Sequence, residues 1–151
     1  MSNIIIREIK EDEVDDLVIL CELHAKYENC TYDKSNKSIK LKEALFTANA
    51  SLICIIAVHN NKLVGYSSFL KEYSTWDADY FLYMDCLYVL EEYRNNGLGK
   101  KLFNEVINYK NKLNCSHIQW QTPNDNIKAI NFYKKIGAIS KNKERFFYKG
   151  K

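Results

Sequence analysis

A mixed α+β domain, with helices packed on one sheet, follows from three features of the sequence. The chain has 151 residues, enough for one sizeable core. Apolar residues recur at helical spacing over 11–28 and again over 97–113. Between these stretches lies the nearly continuous apolar run Leu52–His59, then Asn60-Asn61, then a second extended arm. That is the pattern of a buried hairpin.

Residues 3–9 read as a short strand. Residues 11–28 read as a helix. The acidic residues of its first turn favour the positive end of the helix dipole, and Val14, Leu17, Val18, Cys21 and Ala25 fall on one face. A second helix is expected at 38–48. The run 52–59 is a buried strand, Asn60-Asn61 its turn, and 62–73 the returning arm. A loop at 74–79 precedes a strand at 80–89. A polar turn at 91–96 opens into a helix over about 97–113, with the core stripe Leu98, Leu102, Val106, Tyr109 and Leu113. A strand at 116–122, a helix at 125–136 with Gly137 as its stop, and a last strand at 145–149 complete the order β-α-α-β-β-β-α-β-α-β. No repeat, low-complexity tract or linker interrupts it, so residues 1–151 read as a single domain.

Composition narrows the class. An apolar fraction of 46% with 27% charged residues is that of a soluble globular protein. A net charge of +3, evenly spread, gives no basic stripe for nucleic acid. The apolar run Ile4-Ile5-Ile6 ends at Arg7, which is too short for a signal peptide. No stretch approaches the roughly 18 apolar residues of a membrane span. Five cysteines form an odd number without a CxxC pair. This speaks against a disulfide framework or a zinc site and for a reducing cytoplasm.

The segment Tyr93-Arg94-Asn95-Asn96-Gly97-Leu98-Gly99-Lys100 carries the first functional signal. It joins a strand end to a helix start, where free backbone N–H groups and the helix dipole converge on an anion. Glycines at 97 and 99 let the backbone approach a phosphate and take conformations closed to residues with a Cβ. No GKS or GKT follows, and only two glycines are present, so neither a Walker loop nor a dinucleotide fingerprint fits. A second signal lies in 120–138, which contains Asn126, Ala129, Phe132, Tyr133, Gly137 and Ala138. Asn126 and Tyr133 are two helical turns apart and share a face.

Together these segments resemble the two diagnostic regions of the Gcn5-related N-acetyltransferase (GNAT) superfamily. The turn matches R/Q-x-x-G-x-G/A, and the downstream helix matches N-x-x-A-x-x-F-Y-x-x-x-G-A/F. The resemblance implies a GNAT fold, a central, mostly antiparallel sheet of about six to seven strands with about four helices. It also implies acetyl-CoA as cosubstrate, with no metal. Coenzyme contacts are implied at Leu87, Tyr88 and Val89, at Arg94, Asn95, Asn96, Gly97, Leu98, Gly99 and Lys100, and at Asn126 and Ala129. Tyr133 is implied near the coenzyme sulfur.

Three further segments resemble the diamine (spermidine/spermine N1-) acetyltransferase group: Glu22 to Glu28, Tyr73-Ser74-Thr75-Trp76, and Leu82 to Val89. This implies an amine site bordered by Tyr27, Glu28, Trp76 and Asp85, and a homodimer. One position departs: a Glu-Asp pair in that group is Asp85-Cys86 here. A polyamine therefore meets less negative charge. The expected substrate is a small primary amine, whether a diamine, a polyamine or an amino-bearing antibiotic.

A primary amine is protonated at neutral pH and must lose a proton to attack a thioester. Asp85 is the candidate base, directly or through water. Simple alternation puts Phe81, Tyr83, Asp85, Leu87 and Val89 on one face of the strand. A backbone N–H near Leu87 is the candidate oxyanion donor, and the backbone of 87–89 the candidate partner of the pantetheine arm. Tyr133 is the candidate acid for the leaving thiolate. Cys86, on the opposite face by the same alternation, is read as structural, so transfer is direct. Two other uses of these motifs remain open to sequence: acetylation of a protein lysine or N-terminus, and a catalytically silent CoA-binding module. The aromatic residues Tyr27, Trp76 and Phe81 weigh against the first, and the retained Tyr133 and Asp85 against the second.

Overall fold

The computed structural model describes residues 3–150, so Met1, Ser2 and Lys151 of the expected single domain lie outside the described residues. Residues up to Gln121 form one compact unit, and residues from Thr122 a second.

The first unit holds a five-stranded sheet in the order β1 (Ile5–Glu8), β2 (Leu52–His59), β3 (Lys62–Ser74), β4 (Asp79–Val89), β5 (Ile118–Gln119). The first four strands are antiparallel to their neighbours, and β5 joins β4 in parallel. Asn60 and Asn61 both take left-handed φ, 49° and 59°, which matches the twist of a two-residue hairpin between β2 and β3. Asparagine tolerates that region better than other residues with a Cβ.

Helices cover both faces. α1 (Val14–Tyr27) and α2 (Lys37–Phe46) pack on one face, where Val14, Leu17 and Leu20 meet Cys54, Ile56, Tyr66 and Tyr88. α3 (Leu98–Lys112) covers the other face and buries Leu98, Leu102, Phe103 and Val106. α1 is preceded by a single 3-10 turn, Glu11–Glu13. Glu13 is gripped by both terminal nitrogens of Arg7, at 2.8 and 2.6 Å, and this contact holds its carboxyl below the usual range.

All four expected helices form. In the second unit, α4 (Ile127–Lys135) is capped by Asn126, whose Oδ1 accepts the Ala129 N–H at 3.2 Å. It ends on Gly137 at φ 96°, with Ala138 N–H bonded back to Tyr133 O at 3.0 Å.

The sheet has five strands among the described residues, fewer than the six to seven expected. The expected strand at 116–122 contracts to Ile118–Gln119. The expected strand at 145–149 does not form, and among the described residues no regular element follows α4. A strand exists only against a neighbour, and the second unit offers just α4.

One close approach sets the geometry of the site. A Cβ on Gly65 of β3 would lie 2.9 Å from Tyr88 O and 3.3 Å from Leu102 Cδ1. Gly65→Ala is therefore expected to force β3, β4 and α3 apart, at a cost of about 1–3 kcal/mol. Urea denaturation should show a lowered midpoint. An unchanged midpoint would mean that this junction has slack.

Candidate active site

The turn between the end of β4 and the start of α3 forms as the sequence suggests. Leu90 N–H donates to Val64 O at 3.0 Å, and a 3-10 turn follows at Glu91–Tyr93. His59 Nδ1 sits 2.9 Å from the Tyr93 hydroxyl and ties the turn to the end of β2. Arg94 is extended, Asn95 is left-handed at φ 62°, and Gly97 is left-handed at φ 77°. Asn96 Nδ2 donates to Arg94 O at 3.0 Å. Space is open where a Gly97 Cβ would lie, so its backbone angle is what demands glycine there. Gly99 is an ordinary helical residue.

Gly97 is the N-cap of α3 and has no side chain to seal it. The helix's first bond runs from Lys101 N–H to Gly97 O. The N–H groups of Leu98, Gly99 and Lys100 precede it, at the positive end of the dipole. Leu98 itself is buried in the core, so only its backbone faces a ligand. This donor set fits the pyrophosphate of a coenzyme A.

Arg94 is held differently from an isolated phosphate ligand. Its Nε donates to Val89 O at 2.8 Å, and its guanidinium lies 4.3 Å from the Tyr27 ring centre and 5.4 Å from that of Tyr88. It therefore braces the phosphate turn against the end of α1.

The central feature is a bulge in β4. Cys86 pairs with Ser68, but the next partner of Phe69 is Met84, so Asp85 is the extra residue. The expected face of Phe81, Tyr83, Asp85, Leu87 and Val89 is corrected by this bulge. Phe81 and Tyr83 share a face with Leu70 and Tyr66, whereas Leu87 and Val89 pair with Ser67 and Gly65 on the other. Edges exchange as well. Before the bulge, even-numbered residues face β5: Leu82 N–H donates to His117 O, and Tyr80 O accepts from Ser116 N–H. After it, Leu90 N–H faces β3, so alternation turns the N–H and C=O of Leu87 and Val89 away from β3. Pairing with β5 ends at Tyr83. The strands part there, and the Leu87 and Val89 backbone is directed into the gap.

The bulge also corrects the placement of Cys86. Its Sγ lies 3.5 Å from Asp85 Oδ2, not on the opposite face. Burial, and then the Asp85 charge, push this thiol up to about 12, so it is a neutral thiol at pH 7. A neutral thiol is a poor nucleophile.

On the α1 side, the helix ends at a left-handed Asn29 (φ 55°), with Cys30 N–H bonded to Ala25 O at 2.8 Å. This stop holds Tyr27 and Glu28 at the helix end. His24 lies one turn earlier. Its Nδ1 is 3.0 Å from the Tyr66 hydroxyl, its Nε2 is 3.3 Å from Glu28 Oε1, and its ring stacks on Tyr88 at 4.9 Å. Asp85, Tyr27, Tyr88 and Arg94 complete the neighbourhood. His24 and Tyr66 were not foreseen from sequence. They are 42 positions apart, and nothing local to either marks the contact.

Trp76 is not brought to this group. It occupies the β3–β4 turn and is 95% exposed. Roughly 20 Å of strand separates that turn from Asp85. In the second unit, Asn126 spends its Oδ1 as the α4 cap, Ala129 supplies the capped N–H, and Tyr133 is half-buried with its ring 5.2 Å from Phe132. Among the described residues, no three His, Cys, Asp or Glu side chains are grouped to hold a metal ion.

A bulky side chain at Gly99 is expected to block approach to the N–H groups at the start of α3. Gly99→Val is expected to keep the fold and to weaken acetyl-CoA binding by about tenfold to a hundredfold, the loss of one charge-assisted hydrogen bond. Calorimetric titration of the folded variant checks this. Unchanged affinity would remove the turn from the coenzyme site.

Residues 17–138 match the family model described as acetyltransferase (GNAT) family. The chain is similar to the thialysine N-epsilon-acetyltransferase of Sus scrofa, at 27% identity over 91% of this chain and 85% of that one. It is similar over a shorter stretch, 50% of this chain and 33% of the relative, to the L-ornithine N5-acetyltransferase of Arabidopsis thaliana, at 32% identity. Its fold resembles the crystal structure of a possible acetyltransferase from Clostridium difficile 630, with a TM-score of 0.83, 24% identity and 97% of each chain covered. The chain belongs to the acetyltransferase (GNAT) family and is an acetyl-CoA-dependent N-acetyltransferase.

Proposed function

We propose that this enzyme acetylates a primary amine of a small, cationic molecule by direct transfer. The observation that carries the reading is the β4 bulge. It places the Asp85 carboxylate next to a strand edge whose Leu87 and Val89 backbone groups have left the sheet ladder. Acetyl-CoA supplies an activated acetyl thioester. The α3 N-terminus, with Gly97, Gly99 and Lys100, is the proposed seat of its pyrophosphate. Leu87 and Val89 are the proposed strand-like partners of its pantetheine arm. Val89 O is already bonded to Arg94, so the groups offered are Val89 N–H and both polar groups of Leu87.

Asp85 takes the proton of the bound ammonium, directly or through water. The Leu87 N–H donates to the acetyl oxygen as charge develops there. The freed amine attacks the acetyl carbon, the C–S bond breaks as Tyr133 gives its hydroxyl proton to the departing sulfur, and the phenolate recovers a proton from the new amide nitrogen. Cys86, a neutral thiol, forms no acetyl-cysteine. Glu28, Asp85 and the Tyr27 ring are the proposed cation contacts. The relatives support an aliphatic side-chain amine: their names specify the N-epsilon of thialysine and the N5 of ornithine. With Cys86 in place of a second acid, discrimination in favour of long polyamines is expected to be weaker than the resemblance to diamine acetyltransferases implies.

We place the reaction in the cytoplasm, in keeping with five free thiols, and no described helix is long and apolar enough to cross a membrane. A homodimer is also proposed. It is supported by the exposed Phe146, Phe147 and Tyr148 in the segment without a strand partner.

Free CoA release with thialysine, ornithine, 1,4-diaminobutane, spermidine, an aminoglycoside and a lysine-bearing peptide tests the reading. The small amines should turn over fastest, and preferential turnover of the peptide would overturn it. Asp85→Asn is expected to lower kcat by about 10²–10⁴-fold for every amine, and more at lower pH, where less amine is already deprotonated. Tyr133→Phe should lower kcat while acetyl-CoA affinity holds. A variant of either kind running at the parent rate across pH would remove that residue from the chemistry.

A further inference from the structure

His24 is a half-buried imidazole that the chemistry above does not use, yet both of its ring nitrogens are engaged. Nε2 faces Glu28 Oε1 at 3.3 Å, and Nδ1 faces the Tyr66 hydroxyl at 3.0 Å. A carboxylate only accepts, so Nε2 carries the proton and donates to Glu28. Nδ1 then has a lone pair, and the Tyr66 hydroxyl donates to it. Tyr66 is only 2% exposed, and burial holds it firmly as a phenol. The stack on Tyr88 fixes the plane of the ring. The neutral imidazole thus aims one Glu28 oxygen and leaves the carboxylate its full charge.

Resting on the amine-site reading above, we propose that His24 is a positioning residue for the acceptor amine: it orients Glu28 as the anionic contact for a cationic substrate, and its protonation withdraws that contact. When Nδ1 gains a proton, the Tyr66 hydroxyl must turn from donor to acceptor. Glu28 is then paired with an imidazolium and no longer offers an unmatched negative charge.

The surroundings bias the titration. Glu28 and Cys21 face the cluster from α1, Tyr66 from β3, and Asp85, Cys86 and Tyr88 from β4. Arg94 reaches in from the phosphate turn. Burial lowers the affinity of His24 for a proton, Glu28 and Asp85 raise it, and Arg94 lowers it, with burial the largest. The net shift is downward, so the imidazole is neutral at pH 7 and gains its proton below the ordinary imidazole value of about 6.5. The amine stays protonated throughout this window.

The test is equilibrium binding of 1,4-diaminobutane and of thialysine to the CoA-loaded protein between about pH 7.5 and pH 5, set beside CoA release in the same buffers. For the parent protein, Kd is expected to rise about tenfold toward the acid end, the consequence of one unit of coupling between the His24 proton and the amine. His24→Gln keeps an N–H donor but cannot titrate. It should bind as tightly as the parent at pH 7.5 and show a flat profile. His24→Leu keeps the volume and loses the donor, so Kd should be raised at every pH. Glu28→Gln should bind weakly with a flat profile. A parent Kd that stays flat while CoA release proceeds overturns the role of His24 and leaves amine acetylation standing, as does a pH dependence that survives in His24→Gln. A parent protein that neither binds these amines nor releases CoA with any amine sinks both readings.

Discussion

The site depends on a single extra residue in β4. A strand without a bulge would continue its ladder on both sides, and its two faces would alternate without interruption. Insertion of Asp85 between Met84 and Cys86 exchanges both properties at once. Side chains after the bulge swap faces, so Tyr88 joins Tyr66 and His24 on the α1 side, while Leu87 and Val89 turn toward α3. Backbone groups swap edges, so those of Leu87 and Val89 leave the β3 ladder just where β5 has diverged. Beside the bulge, the fully buried Ser67 donates its hydroxyl to Cys86 O at 2.8 Å.

The neighbouring parts work because this strand is held firmly. Gly65 brings β3 close beneath Tyr88, and Leu102 of α3 packs at the same point. The start of α3 is therefore fixed relative to the end of β4, and Gly97 leaves its dipole end unsealed by any side chain. Arg94 links this end to Tyr27 on α1. The proposed coenzyme turn and the proposed amine contacts are thus joined by one guanidinium, and a shift on either side is felt by the other.

Much of this was legible in the sequence because it is written in local chemistry. Asn60-Asn61 marks a tight hairpin since asparagine accepts left-handed angles. Gly97 with Arg94 marks a strand-to-helix turn that leaves the first N–H groups of α3 unsealed. Helix periodicity locates α1 and α3 to within a few residues. The bulge was not legible. Residues 80–89 carry no glycine or proline to announce it, and strict alternation gave the wrong partners for Asp85. Only the register against β3 reveals the extra residue. The strand expected at 145–149 shows the converse limit: its residues favour extension, but pairing is a property of neighbours, and its own unit supplies none. His24 shows a third limit. Its meaning lies in Tyr66, 42 positions away, and in Glu28, which only a folded helix end brings within reach.

The central claim is that the bulge delivers the Leu87 and Val89 amides to an open edge for the coenzyme. Residue-resolved amide hydrogen exchange, with and without acetyl-CoA, tests it most directly. The account predicts that the Tyr88 amide, bonded into the β3 ladder, exchanges slowly in both states. The Leu87 and Val89 amides should exchange rapidly in the free protein and become protected when acetyl-CoA is added. Slow exchange of Leu87 and Val89 in the free protein, or no change in them on saturation with acetyl-CoA, would contradict it.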